Sequence, residues 1–172
     1  MLGDQWPKPD ETPRVAGCAC LVLSKMEPES IAPLIGALST QDAHVRLLAA
    51  AALGVIGPDA RAAIPILEKE LANKDPTIRA GIAIVIGKLG GDPDAFVPAI
   101  IGALPELDHA NLGWVLEDLL VYKEHAKAAV PVLMDILHKA EFFTNHSESW
   151  VSGMVSNALQ QIDPAALRRA AP

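Results

Sequence analysis

The chain has 172 residues with a formal net charge of −7, and 51% of them are hydrophobic, mostly aliphatic because aromatic residues make up only 4%. This size suits one domain or roughly four to five helical hairpins, and the aliphatic content supplies a closely packed helical core. The acidic balance argues against a nucleic-acid partner, which would favour a basic face.

The segment 1–11 is predicted to form an N-terminal tail. It lacks the basic start and apolar run of a secretory signal, so we expect a cytoplasmic protein. Trp6 lies among polar residues and prolines. This tail either caps the first repeat or docks on a partner as an extended strand.

A fixed period organises the rest of the chain. Four similar five-residue segments begin at positions 34, 67, 100 and 133, so the step between them is constant. Self-similarity at a constant period of this length predicts a repeat array, in which each repeat is a helical hairpin. We expect repeats at about 12–40, 41–73, 74–107, 108–140 and 141–167, followed by a short tail at 168–172. Such an array is usually a binding surface.

The first repeat, 12–40, contains both cysteines of the chain, Cys18 and Cys20. Two positions apart on a helix, they point to different faces and cannot hold one metal ion together. Cys20 precedes Leu53 by one period, and it is interpreted as a small buried apolar residue. The second helix of this repeat carries an apolar stripe at Ile31, Leu34, Ile35 and Leu38.

In the second and third repeats, apolar stripes at helical spacing alternate with turn signals. The turn at 57–59 separates two helices of the second repeat. Asp75 before Pro76, and Asp92 before Pro93, predict helix N-termini. The expected core stripes are Val45, Ala49, Ala52, Leu53 and Ile56, then Ile64, Leu67 and Leu71, then Ile78, Ile82, Val85, Ile86 and Leu89, then Val97, Ile100, Ile101 and Leu104.

The fourth and fifth repeats diverge from this pattern. An insertion of about seven residues is placed in the connection 139–149, which contains Phe142, Phe143 and His146 and is followed by Trp150. These aromatic side chains either anchor a partner or fold under to close the end of the array. The expected core stripes are Val115, Leu119 and Tyr122, then Val130, Leu133 and Leu137, then Val155, Ala158, Leu159 and Ile162.

The residues 45–46, 53–57 and 63–65, with recurrences at 78–79, 86–90, 97–98 and 130–131, resemble HEAT repeats. They are most similar to the short bacterial type related to phycobilisome-lyase repeats. The resemblance covers about residues 12–167. It implies an all-α fold, a right-handed α-α superhelix of four hairpins and a partial fifth, with first helices on the convex side and second helices on the concave side. It also implies an acid–Arg ladder, here Asp42/Arg46 and Asp75/Arg79, which stops at Leu112.

The predicted concave surface is nearly neutral and partly apolar, so nucleic-acid binding is not expected there. Its candidate partner-binding residues form two rows, Gly36, Lys69, Gly102 and Asp135, and Pro33, Ile66, Ala99 and Val132.

The predicted convex surface has fewer charges than a soluble array would place there. No residue from 47 to 57, and none from 80 to 87, is charged. Either these positions are neutral surface, or a partner covers them, because a helix that is apolar all round is normally buried all round. The candidate partner-binding residues are Leu47, Ala51, Val55, Ala80 and Ile84.

No convergent set of acids, bases, nucleophiles or metal ligands emerges, and His44, His109, His125, His138 and His146 are scattered. We therefore expect no catalytic, cofactor or metal site. The favoured interpretation is a non-catalytic protein-interaction module, a scaffold or subunit of a larger complex. The alternative is a lyase-like or chaperone-like accessory factor for a protein that carries a chromophore or cofactor. The uncharged stretch 47–57 is too short to span a bilayer, so membrane contact is not expected.

Overall fold

The computed structural model describes residues 30–40, 43–142 and 149–166, and regular structure in these ranges is entirely helical. The predicted all-α solenoid is confirmed. The α-helices are α1 (Ile31–Ala37), α2 (Ala43–Ile56), α3 (Ile64–Leu67), α4 (Pro76–Lys88), α5 (Pro93–Ala103), α6 (His109–Leu120), α7 (Lys123–Ala126), α8 (Val130–Phe142) and α9 (Ser149–Ile162). Short 3-10 segments at Gly57–Ala63, Glu68–Ala72, Leu104–Glu106 and Lys127–Ala129 extend the second helices.

The helices stack in two layers. The first helices form one layer, in which α2 packs on α4, α4 on α6 and α6 on α9. The second helices form the other, in which α5 packs against both the 3-10 segment Glu68–Ala72 and α7. Each hairpin therefore buries its apolar stripes against the next, which is how a repeat that cannot make a core alone becomes stable.

Local sequence signals set the helix ends. The Asp75 carboxylate accepts hydrogen bonds from the amides of Thr77 (2.8 Å) and Ile78 (3.3 Å), and the Asp92 carboxylate accepts one from the Asp94 amide at 3.1 Å. Both predicted N-caps are confirmed. Asp108 caps α6 in the same way, accepting from the Asn111 amide at 2.8 Å. These caps satisfy amides that have no partner within the first helical turn.

The break at Gly57 decides how an apolar stretch of the chain is interpreted. By length and composition alone, the helical stretch Val45–Ala72 qualifies as a membrane span. Gly57, however, has a φ of 78°, which ends α2 and starts a second helix in a new direction. With its 14 residues α2 is about 21 Å long, shorter than the ~30 Å hydrocarbon core of a bilayer. The stretch is a hairpin of the solenoid.

The predicted core stripes are confirmed in the third to fifth repeats, where Ile86, Ile100, Leu119 and Leu159 are fully buried. In the second repeat Leu53 is fully buried, but Val45, near the start of α2, is exposed and that part of the prediction is wrong. The predicted stripes also omit Phe96, one of the largest fully buried side chains.

The proposed Asp–Arg ladder takes a different form. Asp75 is occupied as an N-cap, so the expected pair with Arg79 is wrong; Arg79 Nη2 instead contacts Glu106 Oε1 at 2.7 Å. Arg79 Nη1 also donates to the Asn73 carbonyl at 2.8 Å. One period earlier Arg46 repeats the arrangement, with Nη1 donating to the Thr40 carbonyl at 3.0 Å and Nε lying 3.5 Å from Glu70 Oε1. Each Arg therefore ties its first helix to the second helix of the same repeat and to the preceding loop.

The predicted insertion begins inside a helix. Helix α8 continues through Phe142, and Trp150 is the second residue of α9, so neither lies on a loop. The helix absorbs part of the added length because residues 139–142 continue its hydrogen bonding without a breaker. Residues Trp6, Cys18, Cys20, Asp42, Phe143 and His146 lie outside the described residues, as do the side chains of His44 and Phe142.

Candidate interaction face

Hydrophobic side chains left exposed to solvent are concentrated on one layer of the solenoid. We use the name first-helix face for the outward surface of α2, α4, α6 and α9, including Val121, which directly follows α6. In the part of the chain that the structure describes, four of the five large exposed hydrophobic residues lie there, namely Val55, Trp114, Val121 and Trp150; the fifth, Val45, is near the start of α2 on the side of the core stripe. A contiguous apolar surface of this kind usually marks an interaction site.

A groove of about 430 Å³ runs along the middle of the first-helix face. Helix α4 forms its floor, and the flanking helices α2 and α6 form its walls. The lining residues are Leu47, Ala51, Gly54 and Val55 of α2, Gly81, Ile84, Val85 and Lys88 of α4, and Trp114 and Asp118 of α6.

The groove exists because glycines recess the middle helix. At Gly81 a Cβ atom would lie 3.8 Å from both Leu47 Cδ1 and Trp114 Cη2, so the two walls approach each other across a position without a side chain. Gly54 in the wall leaves room for Val85, whose Cγ2 would be 3.3 Å from an added Cβ. Small residues therefore allow close packing of the helices and leave the recess open.

The structure corrects part of the predicted convex row. Leu47, Ala51, Val55 and Ile84 do meet in the groove, but Ala80 is 0% exposed and Ile84 only 3%. Helix α4 has a neighbour on each side, and those neighbours cover the positions that were expected to face outward. On α4 the positions open to solvent in the groove are Gly81 and Lys88, whereas Val85 is only 8% exposed. Val55, 52% exposed, is the one predicted residue that projects freely.

The first-helix face is nearly free of net charge. Five of the 53 residues in α2, α4, α6 and α9 are Asp, Glu, Lys or Arg, against 20% in the whole chain. Arg46 and Arg79 are paired with the second helices. At the edge of the groove Lys88 Nζ lies 3.5 Å from Asp118 Oδ1, which leaves Glu117 without a charge partner among the described residues of this face. A partner here would desolvate few charges.

Two tryptophans present flat apolar area on this face. Trp114, 36% exposed, is held by a 2.9 Å hydrogen bond from its Nε1 to Asn111 Oδ1. Trp150, 49% exposed, packs edge-on against His109 with ring centroids 5.9 Å apart. The sequence suggested Trp150 as an anchor but missed Trp114. Trp114 follows Gly81 by one period of the repeat, and this spacing is the feature of the sequence that could have identified Trp114 as part of the face.

The second-helix face has a different character. The predicted row Gly36, Lys69, Gly102 and Asp135 is exposed. In the neighbouring row Pro33 is exposed, while Ile66, Ala99 and Val132 are half-buried. A cleft of about 300 Å³ on this side contains His125, whose Nε2 lies 3.4 Å from Asp94 Oδ1. That this face is concave and binds a partner stays a prediction.

Catalytic or metal chemistry has no assembled site in the described ranges. His109, His125 and His138 are exposed on separate helices. No group of three or more His, Cys, Asp or Glu side chains within these ranges is placed to hold a metal ion.

A family model for HEAT repeats matches residues 5–87, which runs through the first two repeats and nearly to the end of α4. No curated protein matches the chain. The finer likeness to phycobilisome-lyase repeats stays a prediction, and so does the alternative role as an accessory factor for a chromophore-carrying or cofactor-carrying protein.

Proposed function

This chain is a HEAT-repeat protein, and from that membership we propose that it is a non-catalytic module that binds other protein, as a scaffold or as a subunit of a larger complex. HEAT repeats generally mediate protein–protein interactions, and the family is typically non-enzymatic. The net charge of −7 supports the absence of a nucleic-acid partner, and a cytoplasmic location is part of the proposal.

The observation that carries the proposal is the one-sided distribution of exposed hydrophobic side chains. Val55 and Trp114 lie on opposite walls of an apolar groove. On the second-helix face, by contrast, the exposed residues of the two predicted rows are glycine, proline, lysine and aspartate. Full burial of a large apolar side chain contributes about 1.5–3 kcal/mol. Val55 is 52% and Trp114 36% exposed, so covering what remains exposed on both contributes roughly 1.5–2.5 kcal/mol in total. The first-helix face is thus the main binding surface in this proposal.

Copurification from the native source tests this assignment. A tagged chain carrying Val55→Glu together with Trp114→Ala is expected to lose the proteins that copurify with the unmodified chain, because the variant places a charge in the groove and removes its largest apolar wall. Gly102→Glu is the matched control on the second-helix face, where the glycine has no atom within 4 Å of an added Cβ. Quantitative mass spectrometry of the three samples compares the partners.

Retention of all partners by the double variant would contradict the proposal. Loss of partners with Gly102→Glu alone would transfer the binding surface to the predicted row of Gly36, Lys69, Gly102 and Asp135. Circular dichroism of each variant confirms that the helical content is unchanged before the partners are compared.

A further inference from the structure

We infer that the first-helix face is self-complementary and that two copies of the chain associate through it, with Val55 of each copy over the groove of the other. The inference rests on the proposed function, because it uses the same face and names its occupant. Three observations support a second copy: the charge of the face, its size, and the presence of a projection and a recess side by side.

The first-helix face carries fewer unpaired charges than the acidic chain as a whole. The chain carries a net charge of −7, so most pairs of surfaces from two copies would repel each other. On the first-helix face the outward charges are Lys88, Glu117 and Asp118, and Lys88 and Asp118 already neutralise each other at 3.5 Å. Helix α9 has no charged residue at all. Two copies meeting here bring together the surfaces with the least like charge.

The size of the face matches a stable interface. The four helices have 12 to 14 residues and are therefore about 18–21 Å long. Helices packed side by side lie about 8–10 Å apart, so four of them span about 30–40 Å. The product is about 600–800 Å² for each copy, close to the ~800 Å² per partner of a standard specific interface.

The shape of the face satisfies the requirement of two-fold symmetry. In such an interface the same surface must carry both the projecting group and the recess that receives it. Val55 projects from α2 with 52% of its surface exposed, and the groove lies beside it over the adjacent helix α4. A two-fold axis between these helices places each Val55 over the opposite groove, which is walled by Trp114. Tryptophan near the centre of an interface, in a dry pocket, is among the strongest anchors.

Light scattering coupled to size exclusion, with sedimentation equilibrium on the full chain, tests the association. The 18.2 kDa chain is expected to form a dimer that dissociates on dilution. Val55→Glu places a charge in this contact, and Trp114→Ala removes the largest apolar wall of the groove; each is expected to weaken association at least about thirty-fold. Gly102→Glu, which places the same charge at an exposed helical position of the other layer, is expected to leave it unchanged.

Three outcomes would overturn the inference. The first is a monomer across the concentration range, and the second is a dimer that tolerates both Val55→Glu and Trp114→Ala. The third is a monomer that floats with neutral phosphatidylcholine vesicles and loses flotation with Trp114→Ala, because the face would then bind a lipid surface. A monomer whose protein partners are still lost with Val55→Glu and Trp114→Ala refutes the second copy while leaving the proposed function intact. Circular dichroism melting of each variant excludes loss of fold as the cause.

Discussion

Two glycines of the same helix are expected to respond in opposite ways to the same substitution. A Cβ on Gly87 would lie 2.8 Å from Phe96 Cζ, and it would also collide with the Tyr122 hydroxyl. Phe96 is fully buried, and its ring meets Tyr122 edge-on, with centroids 5.0 Å apart and an interplanar angle of 77°. At Gly81 the nearest side-chain atoms would be 3.8 Å away, an ordinary contact distance.

The magnitudes follow from these distances. Replacing glycine by alanine within a helix contributes about 1 kcal/mol of stability through backbone propensity. At Gly87 this gain is opposed by overpacking, about 1–3 kcal/mol, and by disruption of the aromatic pair, about 0.5–1.5 kcal/mol. Gly87→Ala should therefore destabilise the protein by about 2 kcal/mol, whereas Gly81→Ala should stabilise it by up to about 1 kcal/mol.

Urea unfolding followed by circular dichroism measures both variants against the unmodified chain. The expected order of midpoints is Gly81→Ala highest, the unmodified chain next and Gly87→Ala lowest. In a Tyr122→Leu background the cost of Gly87→Ala should shrink, because the hydroxyl that the new methyl group meets is gone. A Gly87→Ala variant as stable as Gly81→Ala would refute the close approach of α4 to Phe96 and Tyr122.

Two further predictions concern polar groups. Tyr122 is the sole tyrosine of the chain, and burial, with a smaller contribution from the charge of Asp118, raises its pKa above the usual value of 10.0. Its neutral form therefore contributes stability that is present below about pH 10 and is lost as the pH rises through the raised pKa; the absorbance of the phenolate reports this titration directly, and ionisation at the pKa of an unfolded chain would contradict it. Arg79→Met removes the ion pair with Glu106 and the hydrogen bond to the Asn73 carbonyl, and it should cost about 1.5–3 kcal/mol in urea unfolding. Arg61→Met, at an exposed position, is the control, and its unfolding free energy should stay within about 0.5 kcal/mol of that of the unmodified chain. Equal effects of the two changes would show that Arg79 does not stabilise the protein by linking α4 to the second helix.

Features that depend on neighbours along the chain could be predicted well. The caps at Asp75 and Asp92 and the break at Gly57 involve residues within one helical turn, so their identity is enough to place them. The helical stripes also followed from spacing, since a buried face repeats with each turn of the helix.

Features that depend on which helices lie alongside were predicted less well. Ala80 and Ile84 were assigned to the outside because the period aligned them with Leu47 and Ala51, yet the central helix α4 has neighbours on both flanks and buries them. The partner of Arg79 was chosen from its own helix, but the side chain reaches across the hairpin to Glu106. Phe96 was omitted because its burial depends on contact with Tyr122, which belongs to the next repeat.

The sequence alone determined that this protein is a repeat array, because a constant period and alternating stripes leave each hairpin an apolar side that only the next hairpin can cover. It also indicated that the first helices lack charge. Tertiary structure decided where that apolar surface stays open. Packing recesses α4 at Gly81 between α2 and α6, so a groove with Trp114 at its wall forms only when three helices from three repeats are placed side by side.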